Sequence, residues 1–328
     1  HESLEEYWTE KYTIDWWHDP RAHRFARMYW WDGLAKAYVA RDNDTEMARL
    51  WVGLLRSFVE QCPPPGDDRP DLYWEGLRGG IRLRGGWPIT FHVFVQSDPV
   101  TDDDIVLFLK SLVEQAEFIR RTHWPVGNKI TFAMVGLYSA GTEYPELRPA
   151  ATWRRYAVST ALQNLEEGFL PDGMGKELSP GYHSTFRNYL TMVDIARQVG
   201  RQDNPLITRL AAGCERLFSV YAKLAAPDRQ LPRYQDGGSP NAKERLAAAL
   251  EYYPDNPLFQ WFAAEGERGT PPPFVSTVLP YAGYVAMRTG WERDANYVGF
   301  DVGPIGWGHA HQDKLNLVLW AYGRRILM

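Results

Sequence analysis

Cysteine is nearly absent from this chain. Two residues among 328, Cys62 and Cys214, cannot build a disulfide framework, and they read equally as one disulfide or as two buried thiols. Long apolar runs are also missing, and no window approaches the roughly 18 uninterrupted apolar residues that a membrane-spanning helix needs. The N-terminus, His1-Glu2-Ser3-Leu4-Glu5-Glu6, has no basic start, no apolar stretch and no Met, so it reads as a mature or trimmed form without a signal peptide. Positive charge is in deficit: 36 Lys and Arg face 41 Asp and Glu, a net charge of −5. That balance argues against a nucleic-acid surface. It leaves room for an anionic substrate, because a local cluster such as Arg78, Arg82 and Arg84 can set the potential of a cleft. No strict internal repeat is found.

What is present is an ordinary globular composition, 45 % apolar and 23 % charged, enough for one large core or two smaller ones. From about residue 21 to 264 the dominant signal is helical. Ile105, Phe108, Leu112, Ala116 and Ile119 recur at three- and four-residue steps after Thr101-Asp102-Asp103-Asp104, an acidic start suited to capping a helix. Trp153, Ala157, Ala161 and Leu165 repeat the pattern up to Gly168. Further helices are expected over 21–41, 44–61, 87–95, 130–140, 184–199, 205–224 and 241–252, joined by Pro- and Gly-rich connectors. Such hairpins stack into a solenoid or a closed toroid. After Thr270-Pro271-Pro272-Pro273 the period changes to strands over 283–289, 296–302, 314–321 and 324–328. The fold class expected is therefore mainly α: an (α/α) toroid over 1–270, then the first strands of an antiparallel β-sandwich over 271–328. Four strands make a poor independent sheet, so further strands are expected from more polypeptide or from a second chain.

Several segments carry chemistry. Gly308-His309-Ala310-His311-Gln312-Asp313 gathers two of the eight histidines and a carboxylate between two strand-like runs. If its outgoing end is extended, His309, His311 and Asp313 point to one side and could converge on a metal ion or a substrate group; they could equally be backbone-bonded residues of a solvated loop. Asn128 follows Gly127 just before a helix, where an anion is welcome and where an N-cap is equally at home. The polar, glycine-rich loop 171–183 delivers Glu177, Tyr182 and His183 together, and a Tyr so placed can donate or accept a proton. Arg82 could meet a carboxylate or sulfate bidentately. The 14 Trp and 18 Tyr include Tyr73, Trp74, Trp87, Trp124 and Tyr144 near connectors, where flat faces can stack on sugars or simply fill a helical core.

In chain order, Gly127-Asn128, Asp172-Gly173, Glu177-Leu178-Ser179, Tyr182-His183, Met287-Arg288-Thr289-Gly290-Trp291, the His309 loop with Lys314-Leu315, and Ala321-Tyr322-Gly323-Arg324 resemble the heparinase II/III-type polysaccharide lyases over essentially the whole chain. Lys129 stands where some members carry His or Trp. The resemblance implies a toroid followed by an antiparallel β-sandwich. It also implies β-elimination on a uronate-containing polysaccharide: heparan sulfate, hyaluronan or chondroitin. In the family pattern Asn128 would bind the uronate carboxylate, Tyr182 would be the catalytic acid or base, and His309 would complete the site. Arg82, Trp87, Glu177, His183 and Gln312 are the candidate substrate contacts. The second His, here His311, is often a ligand of a structural metal (zinc, manganese or calcium) whose other ligands lie further along the β domain. No organic cofactor is needed, and no nucleic-acid or membrane partner is expected. A homo-oligomer stays open, and a secreted or periplasmic location is expected. The alternatives are an alginate-type lyase, a non-catalytic carbohydrate-binding protein, and an (α/α)-toroid glycoside hydrolase using Glu177 with Asp172 or Asp236.

Overall fold

The computed structural model describes residues 14–17 and 20–327, so the reading of residues 1–6 lies outside it. Two compact units account for the chain: one runs as far as Pro125 and takes in Lys129–Thr160, and the other comprises Val126–Asn128 and Ala161 onward. The change of element type near residue 270 and the change of compact unit near residue 160 are different boundaries.

The first unit is helical: α1 (Trp31–Ala40), α2 (Thr45–Gln61), α3 (Gly76–Arg84), α4 (Gly86–Phe94), α5 (Asp102–Thr122), α6 (Asn128–Glu143) and α7 (Ala150–Glu167), the last two crossing into the second unit at their ends. Helix starts follow local chemistry. The Asp44 side chain accepts the Glu46 N–H ahead of α2, and Thr101 and Asp104 form a reciprocal capping box at α5. The expected helix over 21–41 is a 3-10 helix (Pro20–Arg27) followed by α1, broken at Met28, whose φ is +55°. α3 is absent from the helical reading because Gly79, Gly80, Gly85 and Gly86 look like breakers. The reason for glycine is close approach: a Cβ on Gly80 would run into the backbone of Phe132 and Ala133, and one on Gly136 into Gly80.

An aromatic ladder fills this unit. Trp31 stacks on Trp87 with centroids 5.4 Å apart, Trp87 on Phe108 at 5.5 Å, and Phe108 on Phe91 at 4.2 Å. Trp87 is fully buried, which corrects its assignment as a sugar contact. Tyr73, Trp74 and Tyr144 are buried as well; Trp124 is exposed.

Arg82 needs the same correction. It is wholly buried on α3, its Nε donating to Gln115 Oε1 (2.7 Å) and its Nη1 to Ala26 O (2.9 Å), with the guanidinium 5.0 Å from the Phe58 ring centroid. Burial pulls its pKa down to about 9. A guanidinium sealed in this way supports the core and does not meet substrate. Arg82→Ala is expected to cost about 3 kcal/mol or more, from a cavity plus two orphaned acceptors. Activity per folded molecule should be unchanged. Urea unfolding beside specific activity checks this, and a stable but inactive variant would contradict it.

The second unit holds α8 (Pro180–His183), α9 (Asn188–Gln198), α10 (Pro205–Glu215), α11 (Ser219–Leu224), α12 (Ala242–Ala249), α13 (Pro257–Ala263), and β1 (Thr277–Leu279), β2 (Tyr284–Arg288), β3 (Tyr297–Asp301), β4 (Leu317–Ala321) and β5 (Arg324–Leu327). The expected helix 184–199 is a 3-10 turn plus α9, and 205–224 divides around a 3-10 turn at Arg216–Phe218. Unread in the sequence were β1 and α13, although Asn256 caps α13 with Pro257 at its first position. The sheet is an antiparallel meander in the order β1-β2-β3-β4-β5.

Alternation puts Tyr284, Ala286 and Arg288, Tyr297 and Asp301, and Val318 and Trp320 inside. Tyr297 Oη donates to Leu224 O (3.0 Å), and the Arg288 guanidinium donates to Lys223 O, Ala225 O and Val275 O. A cation thus meets the free carbonyls at the end of α11. Burial lowers the Arg288 pKa to about 10. Cys62 and Cys214 are buried free thiols, and burial pushes Cys62 up to about 12, which makes it unreactive. Among the described residues no helix is long and apolar enough to cross a membrane.

Candidate active site

Asn128 opens α6 directly after Gly127, whose φ of +97° only glycine adopts readily. Opposite it runs the loop 168–183. Asp172 ties this loop to the β1–β2 turn, its Oδ2 accepting the N–H groups of Tyr281 and Ala282 (2.9 Å each). That bonding removes Asp172 as a hydrolytic carboxylate. Leu178 holds a φ of +55°, a costly conformation for a branched residue. It is fixed from both sides: its N–H donates to Gly175 O, and Tyr284 Oη donates to its carbonyl. Glu177 is thereby aimed at Asn128. Its Oε1 accepts the Asn128 N–H (2.7 Å), and the Asn128 amide nitrogen lies 2.9 Å from each carboxylate oxygen.

Ser179 links this half of the site to the next. Its Oγ accepts the Tyr182 N–H, capping α8, and donates to Asp236 O. The Tyr182 ring stacks on the His309 imidazole with centroids 3.5 Å apart and planes 11° apart. Asp236 Oδ2 lies 2.8 Å from His309 Nδ1, and Asp236 N–H donates to His309 O (3.1 Å). The hydrogen bond to His309 is the largest of the effects that hold the Asp236 carboxyl below its usual range. An Nδ1–H donated to Asp236 leaves Nε2 with its lone pair, so His309 is oriented as a proton acceptor. Gln235 pins the loop: its Oε1 accepts the His311 N–H, its Nε2 donates to buried Asp301, and its own N–H donates to Asp313 Oδ2. Lys314 completes the clamp on Asp301 (3.0 Å).

Asn128, Glu177, Tyr182 and His183 line one cleft, and His309 joins it through Tyr182. Other expectations need correction. His309, His311 and Asp313 do not converge, because the loop bends at His309 and again at Gln312 and is not an extended strand over 309–313. His311 is exposed and lines a different cavity of about 740 Å³ with Arg233, Trp320 and Arg325. Among the described residues no three His, Cys, Asp or Glu side chains are grouped to hold a metal, so a metal at His311 would need the ligands that the resemblance places further along the β domain. Gln312 is exposed and does not line the Tyr182 cleft. Asp236 and Gln235 were not read as parts of a lyase site. The polar, glycine-rich run Gln235-Asp236-Gly237-Gly238-Ser239 was the available signal.

His183 borders the cleft as a wall. It is 3 % exposed, its Nε2 lies 3.0 Å from Leu217 O, and burial drops its pKa to about 4. The unfolded chain takes up this proton near pH 6.5, the native chain only near pH 4. The stabilisation from a neutral His183 is therefore complete above the unfolded pKa and is lost as pH falls towards the folded one, at most about 3 kcal/mol. Urea unfolding across that window should show a shallower decline for His183→Asn than for the parent. Equal slopes would refute the assignment.

Known proteins resemble this chain along nearly its whole length. The model of the heparinase II/III N-terminus matches residues 1–261, and the heparinase II/III-like C-terminal model matches residues 271–328. A heparin-sulfate lyase of Pedobacter heparinus is 27 % identical over 303 residues, covering 91 % of this chain and 46 % of that protein. One from Bacteroides stercoris is 24 % identical, covering 92 % and 48 %. The crystal structure of a heparan sulfate lyase from Pedobacter heparinus superposes with a TM-score of 0.69 at 26 % identity, over 94 % of this chain and 49 % of that one. A heparinase III structure gives 0.80 at 20 % identity, over 92 % and 49 %. The chain thus spans about half the length of these relatives. The fold class, helices of the (α/α)-toroid type followed by antiparallel strands, is theirs. With both models matched in order along nearly its whole length, this chain belongs to the heparinase II/III family.

Proposed function

We propose that this chain carries the reacting groups of a polysaccharide lyase that cleaves a uronate-containing glycosaminoglycan by β-elimination. The observation that supports this most is the Tyr182–His309–Asp236 assembly, with its 3.5 Å ring stack, whose Tyr182 lines a cleft with Asn128. The C5 hydrogen of a uronate is acidic only when its carboxylate is neutralised, because the departing proton leaves charge on that group. Asn128 supplies amide donors. Glu177 accepts from the Asn128 N–H and amide and so fixes that side chain in the cleft. Tyr182, as its phenolate, removes the C5 proton; alternatively His309 Nε2 takes it and the Tyr182 hydroxyl serves as the acid. The electron pair forms the C4–C5 double bond, the C4–O bond breaks, and Tyr182 protonates the leaving oxygen. Heparan sulfate is the favoured polymer because the relatives carry that name.

The hydrolase reading is weaker: Glu177 is committed to Asn128, Asp172 to backbone amides and Asp236 to His309. Purified protein incubated with heparan sulfate, hyaluronan, chondroitin and alginate should generate the ultraviolet absorbance of an unsaturated uronate on at least one of the first three. New reducing ends without that absorbance would establish hydrolysis. Absorbance on alginate alone would establish the alginate-type lyase, and no cleavage of any polymer would leave the binding-protein reading.

A further inference from the structure

Trp307 presents a surface that the elimination chemistry does not use. Among the described residues of the second unit it is the one exposed tryptophan, at 45 %, whereas Trp261 and Trp291 are half-buried and Trp320 is buried. A lone exposed apolar ring is ordinary on a protein surface, so the informative feature is where this one is fixed. Its position is built: Trp307 N–H donates to Lys176 O (3.1 Å), and the preceding Gly306 lies so close to the Glu177 carbonyl that no Cβ fits. The indole rests on Gly127. A Cβ at Gly127 would fall 2.9 Å from Trp307 Cζ3 and 2.8 Å from Glu177 Oε1, so the ring edge and the carboxylate meet at the same glycine. A flat, half-exposed face therefore stands next to the Asn128–Glu177 pair, held by backbone on both sides.

We propose that Trp307 is a stacking platform for a pyranose ring of the anionic oligosaccharide, an inference that rests on the lyase reading of the neighbouring cleft. A pyranose turns a patch of C–H groups to one side and keeps its hydroxyl, carboxylate and sulfate groups at the edge. An indole beside polar donors matches that division. Because the platform is fixed before binding, little ordering accompanies the contact. Gly127 is glycine for two reasons, its positive φ and the room it leaves for the indole.

The test uses Trp307→Leu, which keeps bulk over Gly127 but loses the flat face, and Trp307→Phe, which keeps a smaller one. With a size-defined heparan sulfate oligosaccharide, Trp307→Leu should raise KM about tenfold with kcat within about twofold, while Trp307→Phe retains most of the affinity. Melting temperature should not move. Calorimetric titration of the same oligosaccharide into the Tyr182→Phe background, with and without Trp307→Leu, reads binding without turnover. An active parent whose KM is unchanged by Trp307→Leu overturns the platform and leaves the lyase reading intact. Binding that is lost with Trp307→Leu, in a parent that forms no unsaturated product, supports the platform and overturns the lyase reading. A parent that does not bind the oligosaccharide overturns the platform.

Discussion

Tyr182→Phe is expected to melt with the parent and to lose about a thousandfold or more in kcat, with KM changed by no more than a few-fold. The substitution keeps the ring that stacks on His309 at 3.5 Å and keeps the N–H that Ser179 Oγ accepts. Only the hydroxyl is removed. General acid and base steps each contribute about a hundredfold to ten-thousandfold, and this hydroxyl is assigned to both ends of the elimination when Tyr182 is also the base. A group that acts only in the transition state lowers kcat and kcat/KM together. Continuous ultraviolet detection of the unsaturated product, with thermal unfolding as the folding control, makes the measurement. A variant with parental turnover would remove Tyr182 from the chemistry.

The second large effect concerns the imidazole and its carboxylate. His309→Gln should lower kcat about a hundredfold or more. Asp236→Asn should produce much of the same loss, because an amide can donate to Nδ1 and so favour the tautomer with its proton on Nε2, the wrong state for a base. Asp236 is half exposed, so neither substitution should shift the melting temperature by more than a few degrees. Groups that act as one device are not additive. The double variant is therefore expected to be no slower than His309→Gln alone, and Asp236→Glu should recover part of the activity. Nitrogen-15 shifts of His309 in the parent and in Asp236→Asn would report the tautomer directly. Additive losses, or an unchanged tautomer, would separate Asp236 from the mechanism.

Features legible in the sequence were those written over a few neighbouring residues. The acidic Thr101–Asp104 cap, the three- and four-residue apolar steps of α5 and α7, and the strand runs of β2 and β3 all depend on geometry set by near neighbours in sequence. The polar loops carrying Glu177, Tyr182 and His309 were visible for a similar reason: glycine-rich, charged runs between periodic segments cannot be core. The roles given to Asn128, Tyr182 and His309 came from a family likeness and not from spacing, which alone suggested a His309–His311–Asp313 cluster that bends at His309 and Gln312 prevent.

Tertiary structure decided what depends on partners far along the chain. His309 finds its carboxylate 73 residues away, and Gln235 meets His311 across 76. No local pattern records such a pairing. Burial was the other hidden quantity. Arg82, Trp87 and His183 are residue types that serve at sugar sites, yet here they sit in tightly packed interiors, where desolvation and stacking give them structural roles. Sequence by itself determined most of the segments that coil or extend, α3, α13 and β1 excepted, and which loops carry reactive groups, because backbone hydrogen bonding and amphipathic period are local. Only the packed chain decided which of those groups face one another, because close packing joins residues that share no neighbourhood in sequence.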